Sequence, residues 1–139
     1  MLTGSCLCGG IRFEVTGKHT RIGVCHCSLC RKVSGVASTA SIAIGFDQLT
    51  WVSGRELVTT YQRPSGYGAT FCRVCGSPAP ESDDAETMYC VPVGLLDDDP
   101  PLQVGDHIYV GSKACWEVIG DDAPRFEGNG PPRTRDQTA

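Results

Sequence analysis

The 139-residue chain is 40% hydrophobic and 20% charged, which suits one globular domain and excludes global disorder. Its formal net charge of −4 at pH 7 gives no basic footprint, so we expect no nucleic-acid partner. No stretch approaches 20 apolar residues, and residues 1–6 lack the features of a signal peptide, so we expect a cytoplasmic protein without a membrane partner.

The first predicted element is a strand at residues 11–15, where apolar and polar side chains alternate. This pattern places Ile11, Phe13 and Val15 on the core side. The counts of 17 Gly and 9 Pro favour many short elements joined by turns. The later elements are predicted in chain order as a strand at 21–24, a helical turn at 28–34, a stretch of small, β-tolerant residues at 36–44, a hairpin of 49–52 with 57–61, and strands at 87–93 and 107–110.

These elements predict a mainly β fold of short strands in a single domain over residues 1–128. Residues 129–139 are poor in apolar side chains, so we expect a disordered tail there. Trp51 and Trp116 are interpreted as packing residues that could also line a pocket.

The nine cysteines carry the chemical signal, because seven of them fall into three tight clusters. A disulfide scaffold is the alternative, but the odd count and the missing export signal argue against it. Spacings of one or two residues would also close very small disulfide rings, whereas they present converging sulfurs to a metal ion. We therefore predict metal binding at the clusters, whose members are Cys6 and Cys8; Cys25, Cys27 and Cys30; and Cys72 and Cys75.

Ligand counting groups the clusters into two sites. Cys6 with Cys8 and Cys72 with Cys75 each supply two ligands, and together they complete a closed Cys₄ site of the structural kind. Glycine follows each pair and lets the backbone turn its amides toward sulfur.

The middle cluster of Cys25, Cys27 and Cys30 supplies three ligands from one loop. Three protein ligands with an open fourth position are typical of a reactive zinc site. A protein side chain could instead fill that position, and the candidates are His19, His26, His107, Cys90 and Cys115. We expect His26 to point away from the metal, and Cys90 and Cys115 to be small buried hydrophobes.

The chain resembles the glutathione-dependent formaldehyde-activating enzyme family, which includes the centromere protein V-type proteins. The resemblance covers roughly residues 3–127. It rests on the segments 4–11, 25–32 and 71–76 and on the region of His107 and Trp116. It implies an Mss4-like β-sandwich (a "β-tent") of short antiparallel strands with two Zn²⁺ per chain, structural on Cys6, Cys8, Cys72 and Cys75 and catalytic on Cys25, Cys27 and Cys30.

The resemblance also implies an activity. The family joins the glutathione thiol to formaldehyde and is classed with the carbon–sulfur lyases, so the expected partners are a small-molecule thiol and an aldehyde. Arg31 and Lys32 could hold a substrate carboxylate, although solvated surface is their ordinary role. The alternative function is a non-catalytic, zinc-stabilised binding module resembling centromere protein V. The oligomeric state is not predicted.

Overall fold

The computed structural model describes residues 1–131, so most of the tail predicted at 129–139 lies outside the described residues. Within this range the chain is mainly β, as predicted. Short 3₁₀ turns lie at Phe46–Gln48, Arg55–Leu57, Val93–Leu95 and Val110–Ser112. The strands and the helix are β1 (Leu2–Ser5), β2 (Arg12–Val15), β3 (Arg21–Cys25), α1 (Ser28–Ser34), β4 (Thr39–Gly45), β5 (Leu49–Ser53), β6 (Val58–Gln62), β7 (Gly68–Cys72), β8 (Glu81–Ser82), β9 (Met88–Pro92) and β10 (Gln103–Ile108).

The described strands form three sheets. One has the order β1-β2-β5, the second has the order β10-β3-β4-β9-β8, and β6 pairs with β7 alone. All pairs are antiparallel except that of β10 with β3, which is parallel and departs from the expected antiparallel pattern. None of the described helices has the length and apolar character needed to cross a bilayer.

The core contains the three side chains predicted for it, since Ile11, Phe13 and Val15 are all buried. They pack in one cluster with residues from β4 and β9, among them Ile42 and Val91. Alternation along each strand brings these side chains to one face, and the cluster also includes Cys6 and Cys72, two of the predicted metal ligands.

The predicted hairpin between residues 49–52 and 57–61 is wrong. β5 pairs with β2 in the register Phe13↔Trp51, whereas β6 pairs with β7. The chain leaves the first sheet at Gly54, whose φ of 74° begins the 3₁₀ turn Arg55–Leu57. A glycine turn signals a change of direction but does not fix the partner strand.

Three further expectations are wrong. The last strand ends at Ile108, because Tyr109 has a φ of 55° and a 3₁₀ turn follows. Trp116 is 68% exposed and is therefore not a packing residue. Cys90 and Cys115 are exposed rather than buried. Side chains alternate along β9, so Cys90 faces solvent while Tyr89 and Val91 face the core.

Candidate metal centres

The first candidate centre brings together the sulfurs of Cys6, Cys8, Cys72 and Cys75, which all lie within 4.8 Å of one another. The Cys6 and Cys8 Sγ atoms are 3.5 Å apart, and the Cys8 and Cys72 Sγ atoms are 3.9 Å apart. Four thiolates at the usual zinc–sulfur distance in a tetrahedron are separated by about 3.8 Å. The donor set and its spacing therefore fit a four-coordinate metal ion.

Local turns position these four sulfurs. Gly9 and Gly76 follow the two cysteine pairs with φ values of 75° and 78°, in the left-handed region that favours glycine. The Gly9 amide donates to the Cys6 carbonyl at 2.9 Å, and the Gly76 amide donates to the Cys72 carbonyl at 2.8 Å. Each pair thus forms a tight knuckle, one before β2 and one after β7.

Hydrogen bonds favour the thiolate form of two of these four cysteines. The Ser77 hydroxyl, followed by the Ser77 amide, lowers the pKa of the Cys75 thiol to about 5. The amide of Ile11 also donates to Cys6 Sγ at 3.3 Å. Donors already directed at sulfur are what a metal-binding thiolate requires.

The second candidate centre contains Cys25, Cys27 and Cys30, whose sulfurs also lie within 4.8 Å of one another. Cys25 ends β3, and Cys27 is the N-cap of α1. The Cys27 sulfur accepts a hydrogen bond from the Cys30 amide at 3.2 Å, so the cysteine takes the capping role that serine or aspartate usually has. The junction of strand and helix therefore fixes all three sulfurs.

Two hydroxyl groups support the second centre, and neither was identified from the sequence. The hydrogen bond from the Cys25 thiol lowers the pKa of Cys30 to about 5, and the hydroxyls of Thr39 and Tyr67 add to this effect. The Tyr67 hydroxyl donates to Cys30 Sγ at 3.5 Å. Burial and then the neighbouring Cys30 raise the pKa of Tyr67, so this hydroxyl keeps its proton at physiological pH.

None of the five candidate fourth ligands joins the second group within the described residues. His19 has its Nε2 atom 2.8 Å from the Thr16 carbonyl oxygen, and Cys90 and Cys115 are exposed elsewhere. As expected, His26 is engaged away from the sulfurs. Its ring is fully buried, and both of its nitrogens have other partners.

His26 belongs to a buried network that the sequence did not reveal. His26 Nδ1 donates to Glu117 Oε2 at 3.1 Å, while His26 Nε2 and His107 Nδ1 are 2.9 Å apart. His107 Nε2 in turn donates to the Asp121 carboxylate at 3.0 Å. The parallel pairing of β10 with β3 aligns His107 with Val24 and so brings the two rings together. The network fixes the loop that carries the three sulfurs to the segment after β10.

Comparison with known proteins gives a consistent result. The model of the glutathione-dependent formaldehyde-activating enzyme family matches residues 1–112. A Halomonas elongata protein provisionally named glutathione-dependent formaldehyde-activating enzyme is 32% identical over 130 aligned residues, which cover 86% of this chain and 81% of the relative. A crystal structure of a Rhodobacter sphaeroides protein is 27% identical with a TM-score of 0.54, and the match covers 71% of this chain and 91% of that one.

Proposed function

Since the chain belongs to the glutathione-dependent formaldehyde-activating enzyme family, we propose that it is a zinc-dependent carbon–sulfur lyase. Its substrate is the adduct of a glutathione-like thiol with a small aldehyde such as formaldehyde. One observation carries the proposal: Cys25, Cys27 and Cys30 present three sulfurs at one point, and no fourth described His, Cys, Asp or Glu joins them. A three-ligand site is the reactive arrangement.

The two centres have different roles in this proposal. Cys6, Cys8, Cys72 and Cys75 hold a structural ion, because four sulfurs complete its coordination and two of them are buried in the core. Cys25, Cys27 and Cys30 hold the second ion at the half-buried end of β3. Two Zn²⁺ per chain are therefore expected.

The donor set of the second centre suits thiol chemistry. Three thiolates outweigh the charge of a divalent ion by one, which reduces its tendency to activate water. A bound Zn²⁺ there supplies a soft position that lowers the pKa of a fourth thiol and presents its sulfur at neutral pH.

The reaction adds the S–H group across the C=O bond of the aldehyde and needs no oxidant. The substrate thiol loses its proton to solvent, and a lone pair on its sulfur forms a bond to the aldehyde carbon. The π electrons of the C=O bond move to oxygen, which takes up a proton to give the S-hydroxymethyl product. The reverse sequence is the lyase direction.

The chain's own groups keep this site in place. The Tyr67 hydroxyl holds its proton and donates to Cys30, which stabilises that sulfur as a thiolate ligand. His26 and His107 anchor the loop from the side opposite the sulfurs. Proximity of thiol and aldehyde then supplies the gain in rate.

Cobalt substitution tests the proposal. Co²⁺ replaces the second ion, and the visible spectrum is recorded during titration with glutathione and with 2-mercaptoethanol. The expected result is a shift of the ligand-field bands, together with a rate of S-hydroxymethylglutathione formation above the spontaneous rate. Cys27→Ser should abolish both effects, whereas Cys115→Ser, which removes an exposed cysteine outside both centres, should leave both unchanged.

A non-catalytic binding module behaves differently in the same experiment. If the second ion is present but its spectrum responds to no thiol, and the rate equals the spontaneous rate, the enzymatic proposal is wrong.

A further inference from the structure

A cavity of about 250 Å³ lies between α1 and the β6–β7 hairpin. None of the described residues lining it is acidic. Two are cationic and most of the others are apolar or aromatic, the main ones being Leu29, Lys32, Val33, Tyr61, Arg63 and Tyr67.

The cavity adjoins the second metal centre. Tyr67 lines the cavity and also donates its hydroxyl hydrogen bond to Cys30 Sγ at 3.5 Å. Leu29, another lining residue, directly precedes Cys30 in α1. A molecule with one end at the three sulfurs can therefore extend into this cavity.

The two cations reach the cavity from distant parts of the sequence. Lys32 lies in the last turn of α1, where the helix dipole alone would favour a cation. That explanation does not apply to Arg63, which follows β6. The Arg63 amide donates to the Tyr67 carbonyl at 2.8 Å, which holds Arg63 beside Tyr67 across the turn.

The salt bridges seen in the described part of the chain join His26 with Glu117 and His107 with Asp121, and neither includes Lys32 or Arg63. Arg31 differs, because its guanidinium donates to the Ser112 carbonyl at 3.1 Å.

Apolar surface beside these charges is also exposed. Val33 is 46% exposed and Tyr61 is 63% exposed. Adjacent apolar and cationic surface suits a ligand that has a short aliphatic body and an anionic end.

We propose that this cavity is the subsite for a carboxylate of the thiol substrate, an inference that rests on the proposed function. Lys32 and Arg63 bind the carboxylate, while Val33 and Tyr61 cover the aliphatic chain. Because none of the described lining residues is acidic, an ammonium group finds no carboxylate partner in the cavity. The substrate class is therefore a thiol with a carboxylate whose ammonium group, where it has one, lies outside the cavity.

The test compares thiols of similar size and different charge on the cobalt-substituted protein. The probes are 3-mercaptopropionate, its uncharged amide and the cationic cysteamine, each titrated at low ionic strength. Lys32→Met and Arg63→Met should each weaken binding of the carboxylate roughly fivefold, the upper range for a partly exposed ion pair. Binding of the amide should change less than about twofold, and binding of cysteamine should not weaken.

Each thiol is compared with itself across the variants, so differences in pKa between the thiols cancel. Unchanged binding of the amide also shows that each variant is folded. Lys18→Met is the matched control, since it removes one exposed positive charge away from the cavity. The subsite is wrong if Lys32→Met and Arg63→Met weaken carboxylate and amide binding equally, or if Lys18→Met has the same effect. If no thiol changes the cobalt spectrum in any variant, the proposed function and this inference both fail.

Discussion

Replacing one sulfur by oxygen in each centre gives the sharpest test of their different roles. Cys72 has an exposed fraction of 0% and belongs to the core cluster, whereas Cys27 is half-buried at the start of α1. The substitutions Cys72→Ser and Cys27→Ser are chemically identical. Any difference between the two variants must therefore come from what each centre contributes to the fold.

The expected magnitudes differ widely. A structural zinc site contributes on the order of 10–16 kcal/mol of apparent binding free energy, which matches or exceeds the roughly 5–15 kcal/mol stability of a whole domain. Cys72→Ser removes a ligand and leaves a hydroxyl group in the core. We therefore expect this variant to be unfolded and to show no cooperative unfolding transition. Cys27→Ser retains the helix cap, because serine is itself a favoured N-cap residue, and should cost about 1 kcal/mol or less in protein that lacks only the second ion.

Thermal melts followed by circular dichroism, with metal analysis on the same samples, provide the measurement. A change of about 1 kcal/mol corresponds to about 4 °C for a domain of this size. The melting temperature of Cys27→Ser should lie within about 4 °C of that of the native protein stripped of its second ion. The variant should lose that ion alone. Equal loss of stability in the two variants, or loss of both ions from Cys27→Ser, would refute the division into a structural and a reactive centre.

Three further predictions follow from single contacts. Gly54→Ala should destabilise the protein by at least ~1–2 kcal/mol, because φ is 74° and the added Cβ would lie 2.1 Å from the Gly10 carbonyl oxygen; an unchanged urea midpoint would contradict this. Asp83→Ala should reduce stability at pH 7. Hydrogen bonds, first from the Thr87 hydroxyl, lower the pKa of Asp83, so its contribution is present above the unfolded pKa of about 3.9 and is lost as pH falls through the folded value; a urea midpoint at pH 7 equal to that of the native protein would count against it. Metal binding to the metal-free second centre at pH 7 should release the proton of Cys25, whose pKa the hydrogen bond to Cys30 raises, and calorimetric heats that do not depend on the buffer would rule this out.

The grouping of the cysteines could be predicted because it depends on local spacing and ligand count. Cys25, Cys27 and Cys30 lie within six consecutive residues, so a single change of direction in that segment brings their sulfurs near one another. The strand at residues 11–15 was predictable for a similar reason. Its alternating pattern identifies the buried face without reference to the partner strand.

The features that the sequence did not reveal all depend on contacts between distant segments. Tyr67 reaches Cys30 only because the β6–β7 turn lies beside α1, and His107 reaches His26 only through a parallel strand pair. The same limitation explains the wrong hairpin, since β5 and β6 are neighbours in sequence but belong to different sheets. Local patterns identify elements, whereas sheet order decides which side chains meet.

The position of His26 between two sulfur ligands has a structural explanation. In an extended segment, side chains alternate, so Cys25 and Cys27 face one side and His26 faces the other. On that side His26 contacts His107 and Glu117. Glu117 lies outside residues 1–112, the part of the chain that the family model matches. A loop fixed from behind in this way cannot easily shift to recruit another protein ligand. In the proposed function, the segment after β10 thus helps to keep the fourth position of the second centre available to a substrate thiol.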